Sequence, residues 1–375
     1  FEEQLGRHRP SGETYSRDFE GPNWLDLRNI DVRYEERSPS VVVVGAGQAG
    51  LSVAARLRQL QVDTLIVEKN DRVGDNWRNR YHALTLHNQV QVNHLPYMPF
   101  PPTWPTYIPK DKLAGWFETY AEAMELNVWT ATEVGGGQYD PDKRRWSIEL
   151  RSSDGRRQTL TPQHVVMATG VSGIPNLPDD IPSFTDFAGT TVHSEEYTDG
   201  IAWRGRKALV LGTGNSGHDI AQDLYVNGVD VTMIQRSPTM VVNIEPSAQL
   251  PYALYEEGPS LEDCDLLAAA TPLKVLRKMH QLVTEKAKTF DKPLLDALSG
   301  AGFLLDYGKN NTGWQFKYLE RGGGYYFNVG CSDLIANGQI RVVQFQDVDR
   351  FIAAGAKLNN GETLDADLLV TATGY

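Results

Sequence analysis

The sequence reads as an α/β protein of two strand–helix–strand domains, one inserted into the other, and three observations predict it. A valine-rich run enters Gly45-x-Gly47-x-x-Gly50 at "VVVVGAGQAGL", Val41 to Leu51. The pattern returns at "LVLGTGNSGHD", Leu209 to Asp219, as Gly212-x-Gly214-x-x-Gly217. Each turn is followed by helical periodicity and a second apolar strand, and 375 residues give length for two domains. The first glycine of such a turn permits the sharp bend, the second lets the backbone approach a pyrophosphate, and the third lets helix and strand pack closely. Both domains are therefore predicted to be Rossmann-like dinucleotide-binding units.

In chain order, residues 1–39 mix charge, Gly and Pro with scattered aromatics and read as an extended lead-in. Residues 40–175 form the first part of the first domain. There a helix carrying Leu51, Val53, Ala54, Leu57 and Leu60 leads to the strand "TLIVE", and "PKDKLAGWFETYAEAMEL" reads as a helix with Asp111 as N-cap. "RRWSIELRSSDGRRQTL" is a β-meander turning at Asp154-Gly155, before the buried strand "HVVMATG". The proline-rich "GIPNLPDDIPSF" crosses into the second domain, 176–330, which carries a helical insertion over 261–298. In that insertion Leu276, Met279, Val283 and Ala287 form a stripe beside Arg277, Lys278, Lys286 and Lys288, read as core packing. Within 331–375, "GQIRVV" and "ADLLVTATGY" are expected to return to the first sheet, with the remainder of that domain cut off after Tyr375.

The two turns differ at the residue that reads the ribose. In the first, Glu68 ends the second strand, followed by Lys69, and its carboxylate suits ribose hydroxyls. Gln48 and Ala49 open the helix, where unpaired N–H groups and the dipole favour a diphosphate. In the second, Asn215 and Ser216 open the helix, and "IQRS" puts Arg236 and Ser237 where a carboxylate would stand. A guanidinium pairs bidentately with a 2′-phosphate that a carboxylate would repel. One site without a phosphate reader and one with it describe a flavin enzyme that binds FAD first and NADPH second, and takes hydride from NADPH.

Composition narrows what happens next. The formal net charge of −12 argues against a nucleic-acid partner. Cys264 and Cys331 are the only cysteines and neither lies in a CxxC, so a dithiol acceptor, a disulfide framework and a cysteine metal cluster lack their parts; no metal site is expected. The chain has no signal-peptide run and no stretch long enough to span a bilayer, so a cytoplasmic protein is expected. Ser216 lacks the GxSxG frame of a hydrolase nucleophile. Without a dithiol, the remaining acceptors are dioxygen or an external quinone or iron–sulfur protein.

Between the two turns lies "FAGTTVHSEEY", in which Phe187, Gly189, His193 and Tyr197 fit FxGxxxHxxxY. Here the chain resembles the flavin-containing monooxygenases, the class B flavoprotein oxygenases, and the order of motifs agrees: first glycine turn, "GDNW", "LPYMPFP", this signature, second glycine turn, "TATGY". The plant auxin-forming members are most similar, at "LTLHNQVQVNHLPYMPFP" and "GNSGHDIAQDL". The resemblance covers 40–375.

The resemblance implies an oxygenase: NADPH reduces FAD, the flavin reacts with O2 to a C4a-hydroperoxide, and one oxygen atom passes to a small lipophilic or soft-heteroatom substrate. It places Asp75, Asn76 and Trp77 of "GDNW", Ala168, Thr169 and Gly170 of "HVVMATG", and Thr373 and Gly374 of "TATGY" at the cofactors. His193 reads either as a structural histidine or as an NADP contact. In animal-type members an asparagine near the flavin precedes the "FPFP"-like segment. A gap-free count from Tyr81 puts His87 there, with Asn88 beside it, and these two are the candidate catalytic residues. The alternative is an NADPH oxidase or flavin reductase that releases hydrogen peroxide. Substrate and oligomeric state are open, a homo-oligomer being possible.

Overall fold

The computed structural model describes residues 21–178, 181 and 183–375. It falls into two units. The first comprises residues up to Arg78, Leu95–Pro99 and Asp111–Gly170; the second comprises Asn79–His94, Phe100–Lys110 and Val171–Tyr375.

In the first unit, β1 (Val41–Val44) runs into the first glycine turn and helix α1 (Gln48–Gln59), which leads to β2 (Thr64–Val67). With β3 (Asn127–Trp129) and β4 (His164–Met167) these strands make a parallel sheet in the order β3-β2-β1-β4. A central parallel strand is covered on both faces, which is why β1 and β2 are runs of Val, Leu and Ile rather than alternating residues. The meander is present as the antiparallel strands Thr132–Asp140, Arg145–Ser152 and Arg157–Leu160, with Gly155 at φ +88°. Ile148, Leu150 and Leu160 pack with Val42, Leu65 and Val67 in one core.

The lead-in departs from the extended chain expected of it. Asn23 caps the helix Trp24–Asp31 through a capping box with Asp26. Tyr34, buried, donates to Asp63 Oδ1 at 2.8 Å, and Trp129 Nε1 donates to the Val32 carbonyl at 2.8 Å. The rest of the lead-in, residues 1–20, lies outside the described residues. A second difference is small: the next helix is Lys110–Ala123, so Asp111 is an acid of its first turn rather than its cap.

In the second unit, β5 (Thr190–His193) and β6 (Lys207–Leu211) precede the second glycine turn, helix α2 (Asn215–Val226) and β7 (Asp230–Gln235). Two late strands, β8 (Arg341–Gln344) and β9 (Leu368–Thr371), complete a parallel sheet in the order β5-β9-β6-β7-β8. The expectation that 331–375 returns to the first sheet is therefore not met. β9 is wholly buried and mostly apolar, and it pairs on both edges, with β5 and β6, inside the second unit. Three apolar residues and a threonine, all buried, announce a buried strand, but the pairing depends on register with segments more than 150 residues away.

The insertion is helical as expected: Leu261–Ala270, α3 (Leu273–Phe290) and Lys292–Gly300. Its apolar stripe lies only partly on the buried face. α3 buries His280, Thr284 and Ala287, leaves Leu276 and Val283 half-buried, and exposes Met279. The inward face is centred on two polar residues, a choice that hydropathy periodicity does not detect. No helix among the described residues is long and apolar enough to cross a membrane.

Candidate functional site

The first glycine turn is a cradle that larger residues would fill. Gly45 sits at φ +106°, and a Cβ on it would lie 2.5 Å from the Ala168 carbonyl oxygen; one on Gly50 would lie 1.9 Å from that of Gly45. Ala168 is thus brought against the turn from the end of β4, with Thr169 and Gly170 exposed after it. Gly47 caps α1 in extended geometry with no side-chain cap, so the first N–H groups of the helix have no side-chain acceptor at the cap, and Gln48 and Ala49 are exposed there. The Asn76 amide lies 3.5 Å from where a Gly47 Cβ would stand, which brings "GDNW" to the cradle. Gly74, at φ +92°, turns this segment against Ala114, and Asp75 accepts from the Arg72 N–H at 3.0 Å and pairs with Arg78. The half-buried Trp77 has its indole Nε1 enclosed without a hydrogen-bond partner among the described residues.

Glu68 is buried, and its carboxylate binds the turn itself: Oε2 accepts from Ala46 N–H at 2.7 Å, and Oε1 from Asn70 N–H at 2.9 Å and Nδ2 at 2.8 Å. A carboxylate has about four acceptor positions, so about one is left for a ribose hydroxyl. Lys69 is exposed beside it. The open helix N-terminus, the close-packed glycines and the acid at the strand end fit the adenine-dinucleotide half of FAD.

The second turn repeats the cradle. Gly212, at φ +118°, would place a Cβ 2.3 Å from the Ala372 carbonyl oxygen, and Gly217 one 2.3 Å from that of Gly212. Gly214 caps α2 with open space around its Cα. Asn215 is spent on structure, its Oδ1 accepting from Phe327 N–H at 3.1 Å, and the Ser216 hydroxyl bonds that of Tyr81. At the end of β7, Gln235 is buried, whereas Arg236 and Ser237 are exposed. No described residue pairs with the Arg236 guanidinium, which is exposed directly after the strand that follows the turn. These residues fit a dinucleotide with a 2′-phosphate.

The signature segment has a structural role. Phe187 is core; a Cβ on Gly189 would strike the Phe187 ring at 2.3 Å; Tyr197 donates to Asp223 Oδ2 at 2.6 Å. His193 is buried, with Nδ1 accepting from Glu195 N–H and Nε2 3.2 Å from the Gly374 carbonyl, so the imidazole is held as the Nε2–H tautomer. Burial lowers its pKa despite the Gly374 bond. Both ring nitrogens are spent within the chain, and that favours the structural alternative. Thr373 donates to the Asn176 carbonyl, so the "TATGY" end is tied to the proline-rich link.

His87 and Asn88 fall in the second unit, on the strand Thr85–Gln89, and have different neighbours. The His87 ring stands edge-on to Phe327 at 5.6 Å, and its Nε2 lies 3.7 Å from Asp219 Oδ2. The Asn88 amide donates to the Tyr252 hydroxyl. Asp219, Tyr81 and Tyr252 were not singled out from the sequence. Asp219 sits in the motif "GNSGHD", but the strand it meets is some 130 residues away, and no local pattern reports that.

His218, the residue after the third glycine, is wholly buried and stacks on Tyr326 at 3.9 Å. Its Nδ1–H donates to the Gly214 carbonyl, its Nε2 has no partner among the described residues, and burial pulls its pKa down to about 4. Cys331 is fully buried and burial pushes its thiol up, while Cys264 is buried too, so neither is placed for redox chemistry.

Residues 42–257 match the family model described as pyridine nucleotide-disulphide oxidoreductase. Among curated proteins, the indole-3-pyruvate monooxygenase YUCCA1 of Oryza sativa subsp. japonica is 31% identical over 357 residues, covering 94% of this chain and 80% of the relative. Among solved structures, the flavin-containing monooxygenase from Stenotrophomonas maltophilia aligns at TM-score 0.61 and 18% identity, over 90% of this chain and 79% of the other. The structure of OTEMO in complex with FAD and NADP aligns at TM-score 0.68 and 16% identity, over 91% and 72%. At those identities the solved structures establish the fold.

Proposed function

From the premise that the chain belongs to the flavin monooxygenases of the pyridine nucleotide-disulphide oxidoreductase family and is an oxidoreductase of that kind, we propose that it uses NADPH to reduce FAD. One oxygen atom of O2 then passes to a small organic substrate. The chemistry that bound FAD supplies is oxygen activation through a C4a-hydroperoxide, with the second oxygen atom leaving as water.

The chain's own residues bind and orient. Gly45, Gly47 and Gly50 admit the FAD diphosphate to the N-terminus of α1, and Glu68 both clamps the turn and offers its remaining acceptor to the ribose. Gly212, Gly214 and Gly217 do the same for NADPH at α2. The observation that carries the reading is Arg236, exposed at the ribose position of the second turn where the first has a buried carboxylate. His87 and Asn88 are proposed as the polar groups that act at the flavin. The OTEMO structure holds FAD and NADP together, which supports the cofactor pair. Indole-3-pyruvate, for which the Oryza relative is named, is the first substrate to offer.

The test is to load the protein with FAD, reduce it with NADPH, mix it rapidly with oxygenated buffer and follow the flavin spectrum beside peroxide release. A long-lived oxygen adduct that decays faster with substrate, with product formed in place of peroxide, is expected. Immediate return of oxidised flavin with one peroxide per NADPH, unchanged by any substrate offered, would overturn the oxygenase reading in favour of an oxidase.

A further inference from the structure

Asp219 is a carboxylate in the second turn of α2, two residues after Gly217. It is enclosed, and burial raises its pKa while His87 and Tyr81 oppose that rise. A buried carboxylate needs donors. Among the described residues Oδ2 has two polar neighbours: the Tyr81 hydroxyl, which donates at 2.7 Å, and His87 Nε2 at 3.7 Å. Tyr326 and Cys331 also lie in its field, but burial holds both in their neutral forms, and His218 on the same helix turns its N–H to the Gly214 carbonyl. The charge of Asp219 is therefore felt mainly by Tyr81 and His87.

His87 is also fixed from its other sides. Its carbonyl accepts from Gln249 Nε2 at 3.2 Å and its ring stands edge-on to Phe327. Its remaining choice is which nitrogen carries the proton. A carboxylate beside Nε2 stabilises N–H there and leaves Nδ1 as the acceptor.

We propose that Asp219 is a positioning residue for His87: from the helix of the second glycine turn it selects the Nε2–H tautomer and holds the ring, so that His87 presents Nδ1 as its acceptor. Tyr81 hydrogen-bonds the same oxygen, Oδ2, and keeps it aimed. The inference rests on the reading of His87 as a group that acts at the flavin. It adds a link from the NADPH-binding helix to the strand bearing both candidate catalytic residues.

The tautomer is measured first, by ¹⁵N resonances of labelled histidine in cofactor-free protein, with His87→Gln for assignment. The wild type is expected to show Nε2–H, and Asp219→Asn, which keeps the side chain's shape, to move the ring toward Nδ1–H. In the FAD-loaded enzyme Asp219→Asn should lower kcat about tenfold or more while leaving the KM for NADPH within about twofold, and Asp219→Glu should restore the tautomer and part of kcat. An unchanged tautomer in Asp219→Asn overturns the proposal, as does loss of turnover in His87→Gln without loss in Asp219→Asn. If Asp219→Asn does not fold, Asp219→Glu must still report the Nε2–H form. Full turnover in His87→Gln, with the tautomer shift present, would instead overturn the assignment of His87 and leave the Asp219 contact standing.

Discussion

The two glycine turns are nearly superimposable in their backbone demands and opposite in the side chains that finish them. Gly47 and Gly214 cap their helices at φ/ψ of −76°/−175° and −79°/−170°. The first glycine of each turn lies against a carbonyl from a neighbouring strand end, Ala168 in one and Ala372 in the other. Then they diverge. Glu68 is folded back onto the first turn and buried, whereas Arg236 projects from the second. After the third glycine the first helix continues with Leu51 and Ser52, the second with the titratable pair His218, buried, and Asp219, half-buried. The glycine contacts fix the backbone of both turns; the differences lie at the strand end and in the second helical turn.

The largest effects should come from breaking what the turns share. Gly50→Ala puts a Cβ 1.9 Å from the Gly45 carbonyl and Gly217→Ala one 2.3 Å from that of Gly212, contacts that only a backbone shift relieves. Each is expected to weaken its own dinucleotide by about 3 kcal/mol or more. Gly50→Ala should lose yellow cofactor on desalting and keep NADP⁺ binding by calorimetry; Gly217→Ala should do the reverse. Loss of both ligands in either variant would show that the turns are not independent.

Next in size is the difference at the strand ends. Arg236→Ala should raise the KM for NADPH about thirtyfold, or about 2 kcal/mol, and leave that for NADH nearly unchanged. Steady-state kinetics with both coenzymes decides it, and equal losses with NADH would mean that Arg236 does not read a phosphate.

His218 sharpens the comparison through pH. Its folded pKa, about 4, lies below the ordinary 6.5, so the unfolded chain binds more protons between those values. Its contribution to stability is therefore complete above pH 6.5 and is lost as pH falls toward 4; by pH 5 the loss should be about 2 kcal/mol. His218→Leu copies Leu51 of the first turn and should flatten the difference between urea midpoints at pH 7 and pH 5. A slope as steep as the wild type's would assign the acid sensitivity elsewhere.

What could be read from the sequence follows from range. Both cradles were legible because strand, glycines and helix are consecutive and the first and third glycines of each answer a contact inside their own unit, and Arg236 was legible because it follows the strand after the turn. The placement of β9 between β5 and β6 was not, because Leu368–Thr371 carries apolar character but no register. Asp219 and Tyr81 were missed for a related reason, since a buried carboxylate meeting a phenol 138 positions away leaves no periodicity. Glu68 was found for its ribose chemistry, while its bond to Ala46 N–H shows that it first stabilises the turn.

The smallest expected effect concerns the signature segment, present in the second unit alone. Phe187, Gly189, His193 and Tyr197 each make an internal contact, so the motif fastens β5. Tyr197→Phe removes a 2.6 Å bond to Asp223, whose carboxylate keeps the Gly200 N–H at 2.8 Å. The expected loss is about 1.5 kcal/mol, seen as a fall in Tm of roughly 4 °C, with NADP⁺ affinity unchanged by calorimetry. Arg236→Ala is expected to do the opposite, changing affinity and leaving Tm alone. If Tyr197→Phe weakened NADP⁺ binding as Arg236→Ala does, the segment would belong to the ligand site and the separation of fastening from reading would fail.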